Sequence, residues 1–153
     1  MSTSFQDLID EYITTGHLYS IPRQEGTYKV IVPNDFEVCI KADSDALQST
    51  KIPYSIALLS EKWEKICKIS NEDKKIVYIG KANDLRQRTL QFIRYRMGQV
   101  QNHAGGRALW QIENNMQLLF EYTVGANSRE KEKAMLMTYK DKYGVYPFAN
   151  FKS

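Results

Sequence analysis

The side chains available for chemistry in this sequence are mostly tyrosines, basic residues and carboxylates. The 153 residues include 10 tyrosines but only 2 histidines and 2 cysteines. Cys39 and Cys67 belong to no Cys-x-x-Cys or Cys/His cluster, which argues against a structural zinc site or a thioredoxin-like motif. We therefore expect both to be reduced core thiols. Catalysis would have to use tyrosine, lysine, arginine and carboxylate groups, or the pair His17 and His103.

Positive charge is concentrated in one segment, although the net charge of the chain is only +3. Positions 74–107 contain eight basic residues and one acid, a local charge of +7 that leaves −4 on the rest. Tyr78, Phe92, Tyr95 and Trp110 lie among or beside these basic residues. This composition is expected of a surface that contacts phosphates and stacks on bases. A solvated helix face is an equally good explanation of the charge alone.

The elements that must position these groups form an α+β pattern within one domain, 1–153. Alternating apolar residues predict strands at 26–32 and 117–124, and a β-branched run ending in glycine predicts a buried strand at 75–80. A further alternation at 36–40 suggests a hairpin with the first strand.

Helices are predicted where apolar spacing of three and four residues follows a capping residue. The first helix is predicted from Ser4 to Gly16, and a second starts at Ser60. A third starts at Asn83 or Asp84 and runs to about Met97, where Gly98 ends it. The fourth starts at Asn127, which pairs with Glu130, and runs through Tyr139. No apolar run approaches the roughly 20 residues of a membrane-spanning helix, and the N-terminus has no targeting pattern, so we expect no membrane association and a cytoplasmic location.

Short motifs occur in a fixed order along the chain. Gly26-Thr27-Tyr28 lies in the first strand, Tyr78-Ile79-Gly80 lies in another, and Lys81 and Leu85-Arg86-Gln87-Arg88 lead into a helix. The set resembles the GIY-YIG nuclease family. The run YIGKANDLRQR is most similar to the nuclease domain of the incision enzyme of bacterial excision repair.

Later residues extend this resemblance from Gly26 to Asn150. In the family an arginine lies eight residues after the second motif's glycine, as Arg88 does after Gly80. The family's glutamate helix, with its apolar and aromatic positions and the proline and asparagine that follow, matches Glu132, Met135, Leu136, Tyr139, Pro147 and Asn150.

The chain departs from the family pattern in two main places. Forty-nine residues separate Tyr28 from Tyr78, so 36–73 would be an insertion between the first two core strands, and 1–25 a helical extension. Phe92 occupies a position where the family has His or Tyr. His103 is the candidate replacement, in a loop with some similarity to GIY-YIG restriction enzymes.

The resemblance implies a three-stranded, mostly antiparallel sheet flanked by helices, and a metal-dependent endonuclease acting on DNA. A one-metal mechanism needs a single carboxylate, because phosphate oxygens and waters complete the shell of Mg²⁺ or Mn²⁺. The alternative is a catalytically weak or inactive nucleic-acid-binding module with the same fold. The N-terminal helix could also make the protein a homodimer.

Residue roles follow from the resemblance. Glu132 would hold the metal, with Glu130 as a competing choice, and Arg88 would form a bidentate contact with the scissile phosphate. Tyr28 would activate water, with Tyr78 as its hydrogen-bonding partner and Lys81 as a further positive charge. The residues expected to contact nucleic acid are Arg86, Arg94, Arg96, His103 and Arg107, and those expected to shape the site are Gly26, Gly80 and Asn150.

Overall fold

The computed structural model describes residues 2–46, 52–69, 75–99 and 105–151. The architecture is α+β, as predicted, but the described sheet has four antiparallel strands instead of three. The strands are β1 (Ser2–Ser4), β2 (Gly26–Ile31), β3 (Ile76–Ala82) and β4 (Leu119–Val124), in the order β1-β4-β2-β3. The helices are α1 (Phe5–Thr15), α2 (Ile56–Cys67), α3 (Leu85–Arg96) and α4 (Ser128–Tyr143).

The additional strand is β1, whose three residues pair with the first three of β4. These residues are Ser, Thr and Ser, so no apolar alternation marks them as a strand in the sequence. β1 runs directly into α1, where the Ser4 hydroxyl accepts a hydrogen bond from the Asp7 N–H at 3.1 Å. The predicted limits of this helix, Ser4 and Gly16, are confirmed.

The hairpin predicted over 36–40 does not form. Ile40 makes only an isolated bridge to Ile112. β2 pairs with β3 on one side and with β4 on the other, so no edge of β2 remains for a strand that follows it. The segment 36–73 instead leaves the sheet between β2 and β3, and residues 47–51 and 70–74 of the chain lie outside the described residues.

Helix α2 begins one turn earlier than predicted. The Ser55 hydroxyl accepts a hydrogen bond from the Leu58 N–H at 3.1 Å, so Ser55, and not Ser60, is the cap. Leu59 and Ile66 are the buried residues of the helix. None of the helices in the described ranges is both long and apolar enough to cross a membrane.

Both cysteines are exposed, so the expectation of core thiols is wrong. Cys39 lies in the irregular segment after β2, and Cys67 is the last residue of α2, where the neighbouring Ile66 fills the buried position.

Helix α3 has the predicted start and end. The Asp84 carboxylate accepts a hydrogen bond from the Gln87 N–H at 3.1 Å, and Gly98 follows the helix with a φ of 78°. Because β3 ends at Ala82, only a short turn separates the edge strand from this helix.

Helix α4 is capped by a residue distant in sequence. Asn127 lies at the cap position, but the structure shows no capping hydrogen bond from its side chain. The Glu25 carboxylate accepts hydrogen bonds from the Ser128 N–H at 3.0 Å and from the Ser128 hydroxyl at 2.8 Å, and these bonds lower the pKa of Glu25. The helix ends at Tyr143, one turn beyond the predicted Tyr139.

An aromatic cluster supports one face of the sheet. Phe5 stacks on Phe92 at a ring-centroid distance of 5.8 Å and meets Trp110 edge-on at 5.2 Å. Tyr28 stacks on Phe120 at 5.2 Å within the same core. These rings fix the position of β2 and of α3 relative to each other.

Two glycines allow the strands of the site to approach closely. Tyr28 lies opposite Gly80 in the β2–β3 register, and its ring crosses Gly80 so closely that a Cβ there would overlap the ring atoms. A Cβ at Gly26 would overlap the Thr123 carbonyl and lie 2.8 Å from Leu85. Backbone approach therefore requires glycine at both positions.

We expect Gly80→Ala to destabilise the protein by about 1–3 kcal/mol, because the methyl group must displace a packed ring. Urea unfolding measures this. Gly125→Ala is the matched control, since a Cβ there meets only the mobile end of Lys131. Equal stability of the two variants would contradict the close packing of Tyr28 on Gly80.

Candidate functional site

The pairing of β2 with β3 brings together the two motif tyrosines. Tyr28 and Tyr78 lie on the same face of the sheet, with their ring centroids 6.1 Å apart, and their hydroxyls are hydrogen-bonded. The shared hydrogen bond couples the two phenols, so the protonation of one affects the pKa of the other.

Burial distinguishes the two phenols. Tyr28 is 2% exposed, and burial is the main cause that raises its pKa well above 10.0. Tyr78 is partly exposed, and burial raises its pKa as well. The positive charge of Arg88 lowers both pKa values, while the negative charge of Glu132 raises them. Of the two hydroxyls, the one nearer to solvent belongs to Tyr78.

Arg88 lies one turn into α3, on the side of the helix that borders the site. Its neighbours in sequence show why: Leu85, Thr89 and Phe92 are buried against the sheet, and Arg88 is half-buried at the margin of this stripe. The guanidinium interacts with both tyrosines and with Glu132. A permanent positive charge therefore faces the same space as the two phenols.

Glu132 is positioned by the buried stripe of α4. Glu132, Leu136, Tyr139 and Tyr143 follow the spacing of one helix face, and the last three are buried against the rest of the fold. Burial raises the pKa of Glu132, whereas Lys81 and Arg88 lower it. Among the described residues its carboxylate makes no hydrogen bond or ion pair. Its oxygens are thus available for a metal ion.

Lys81 joins the two halves of the site. It lines a cavity of about 380 Å³ together with Arg129, Glu132 and Lys133 of α4. It also lines a second cavity, of about 200 Å³, with residues of α3 and the turn before it, among them Arg88. We call these two adjoining cavities, which meet at Lys81, the edge groove.

Asn150 holds β3 on its unpaired side. The Asn150 amide donates to the Ile79 carbonyl and accepts from the Ile79 N–H, both at 2.9 Å. Ile79 lies between Tyr78 and Gly80, so Asn150 acts on the backbone of the motif itself. Its geometry is that of a positioning residue.

The segment around α2 secures Asn150 in turn. Lys62 donates a hydrogen bond to the Asn150 carbonyl, and its ammonium group lies 4.2 Å from the centre of the Phe151 ring. Tyr54 stacks on Phe151 at 4.3 Å. Burial lowers the pKa of Lys62 to about 8.

Three of the arginines predicted to contact nucleic acid, Arg86, Arg96 and Arg107, make contacts within the protein. The Arg86 Nε donates to the Ile21 carbonyl at 2.7 Å. The Arg96 Nε donates to Asn115 at 3.1 Å, and the guanidinium is paired with Asp45 at 3.8 Å. Neither Arg86 nor Arg96 lines the edge groove.

Arg107 and Arg94 are also separate from the groove. Arg107 donates to the Ile52 carbonyl at 2.7 Å and stacks on Tyr54 at 4.1 Å. Arg94 is exposed on α3 but does not line either cavity. His103 lies outside the described residues, so its predicted role stays a prediction.

Phe92 is part of the core, not of the groove surface. It is 1% exposed, with its ring centroid 5.8 Å from that of Tyr78 and 5.6 Å from that of Trp110. Phe92 is thus a packing residue that cannot transfer a proton.

The sequence interpretation missed Arg129 and Lys133, which line the groove beside Glu132. Their positions contained the signal: Arg129 is three residues before Glu132 and therefore on the same side of the helix, and Lys133 is adjacent to it.

No group of three or more His, Cys, Asp or Glu side chains suited to a metal occurs within the described ranges. A one-carboxylate site does not need such a group. Comparisons with protein-family models, with curated proteins and with solved structures found no match.

We expect Asn150→Ala to lower stability by about 1–3 kcal/mol, since it leaves the Ile79 N–H and carbonyl without their partner. The Ile79 amide should also exchange its hydrogen faster. Hydrogen exchange measured by NMR reports the Ile79 exchange rate directly, and the slowest-exchanging amides report the overall loss of stability. Asn34→Ala, at an exposed loop position, is the control; unchanged exchange at Ile79 would contradict the positioning role.

We expect Glu132→Gln to raise the melting temperature at pH 7. The folded pKa of Glu132 is raised, so the wild type loses stability as pH rises from the unfolded value of 4.5 through the folded one. The gain should vanish near pH 3, where Glu132 is protonated in both states. Thermal unfolding from pH 3 to 8, with exposed Glu130→Gln as control, tests this; a gain that persists at pH 3 would contradict it.

Proposed function

We propose that this protein hydrolyses phosphodiester bonds in DNA, with Mg²⁺ or Mn²⁺ held by Glu132. The observation that supports this most is the meeting of Tyr28, Tyr78, Lys81, Arg88 and Glu132 at one edge of the sheet. They come from β2, β3, α3 and α4, and their resemblance to GIY-YIG nuclease motifs predicts this combination.

The positive side chains suit a phosphodiester. Arg88 can donate two parallel hydrogen bonds to the non-bridging oxygens of the scissile phosphate, and Lys81 adds a point charge beside them. Both cations interact with Glu132. A phosphate bound by them would therefore lie next to the metal ion that Glu132 is proposed to hold. Fixed charges of this kind stabilise the extra negative charge of the transition state.

Glu132 fits a hard divalent cation. It offers carboxylate oxygens, the ligands that Mg²⁺ prefers, in a partly desolvated position next to a groove wide enough for waters and phosphate. A divalent cation there would neutralise charge on the phosphate and leaving oxygens, and would remove one cause of the raised tyrosine pKa values.

We assign water activation to Tyr78 and the partner role to Tyr28, which reverses the roles expected from the resemblance. Tyr78 is partly exposed, so it can reach a water molecule, and the positive charge of Arg88 favours its phenolate. Tyr28 is buried, which favours its neutral form, so its function is to orient Tyr78 through their shared hydrogen bond and to retain its own proton.

A DNA-binding module with little activity is the second candidate. It is favoured by Phe92, which is buried against Tyr78 and cannot transfer a proton. Without a proton-transferring side chain at this position, the protein could bind DNA but cleave it slowly.

We expect the purified protein to nick supercoiled plasmid DNA with Mg²⁺ or Mn²⁺ and to lose this activity in EDTA. Glu132→Ala and Arg88→Ala should each reduce the rate by roughly a hundredfold or more, because each removes a charge that acts on the transition state. Gel assays of nicked and linear plasmid give the rates.

Matched variants keep this test specific. Glu130→Ala on the same helix and Arg94→Ala on α3 should retain activity. Tyr78→Phe should lose more activity than Tyr28→Phe, in line with the assigned roles. If the wild type nicks none of the DNA forms tested, the hydrolase is excluded and the binding module is left. If Glu132→Ala nicks DNA as fast as the wild type, the active site is elsewhere.

A further inference from the structure

The edge groove has two chemically different halves. The half beside α4 is lined by Lys81, Arg129 and Lys133 around the single carboxylate Glu132. Three cations therefore face one acid, and the two on α4 are exposed. The cations of this half can hold more negative charge than one bound phosphate carries.

The half beside α3 carries mostly amides. Besides Lys81 and Arg88, it is lined by the side chains of Asn83, Gln87 and Gln91. The one acid there, Asp84, caps α3 and is paired with Arg23 at 3.1 Å. Gln87 and Gln91 are four residues apart and so share one face of the helix. Amides can donate and accept hydrogen bonds but attract phosphates weakly.

We infer that DNA crosses the edge groove in one orientation, with the scissile phosphate between Arg88 and Glu132, the flanking phosphates on the α4 half, and the bases or sugars on the amide side chains of the α3 half. Arg129 and Lys133 contact the phosphates that flank the scissile one, and Gln87 and Gln91 contact base edges or sugars. The inference uses the proposed function only to place the scissile phosphate beside Arg88 and Glu132.

This assignment differs from the one that composition favours. Arg86, Arg96 and Arg107 are engaged with carbonyls, amides or rings inside the protein. Arg129 and Lys133 instead lie in the acidic remainder of the chain, on the helix that supplies Glu132. Electrostatic affinity depends on which cations face the substrate, and net charge along a segment does not report that.

Fluorescence anisotropy of a labelled DNA duplex in EDTA tests the inference, because binding is then read without cleavage. Each lost phosphate contact lowers the slope of log K against log salt by about 0.9. Arg129→Ala/Lys133→Ala should therefore reduce the slope by about 1.8. Lys65→Ala/Arg94→Ala removes the same charge at exposed positions outside the groove and should leave the slope unchanged.

Two further measurements separate this inference from the proposed activity. Gln87→Ala/Gln91→Ala should weaken binding with an unchanged salt slope. In cleavage assays Arg129→Ala/Lys133→Ala should raise KM with little change in kcat, whereas Arg88→Ala lowers kcat. Equal salt slopes for the two charge-matched double variants, or no salt-dependent binding by the wild type, would overturn the inference. If binding depends on salt as expected but no cleavage occurs, the inferred DNA orientation is supported and only the proposed hydrolysis fails.

Discussion

The crossing of the Tyr28 ring over Gly80 is the contact on which the rest of the site depends. It sets how closely β2 approaches β3, and it directs the Tyr28 hydroxyl toward Tyr78, which lies two pairs further along the register. Both α3 and α4 contact β3, and they bring Arg88 and Glu132 to the tyrosines.

The unpaired side of β3 needs its own support, because a free strand edge is mobile and can pair wrongly. Asn150 supplies it with two hydrogen bonds to Ile79. Lys62, from the segment inserted between β2 and β3, holds Asn150 in turn. The insertion thereby contributes to the site without adding a residue to the edge groove. Its packing links the chain terminus to the strand that carries the second motif.

Local signals in the sequence were sufficient for much of this arrangement. Ser4, Asp84 and the glycines that end their helices were predictable because caps act within a few residues. The fourth strand was not, since Ser2–Ser4 has no apolar pattern and forms only because β4 offers an edge. The capping of α4 by Glu25 and the intramolecular contacts of Arg86, Arg96 and Arg107 depend on distant partners, which spacing along the chain cannot reveal.

The proposed function depends on a balance of charge in this small site. Burial raises the pKa values of both tyrosines and of Glu132, whereas Arg88 lowers all three and Lys81 lowers that of Glu132. The most direct measurement is an anomalous difference map from crystals grown with Mn²⁺ and uncleaved DNA. We predict one peak roughly 2 Å from a Glu132 oxygen, with a phosphate within reach of Arg88. Full DNA occupancy with no peak at Glu132, or with the metal bound elsewhere, would contradict the account.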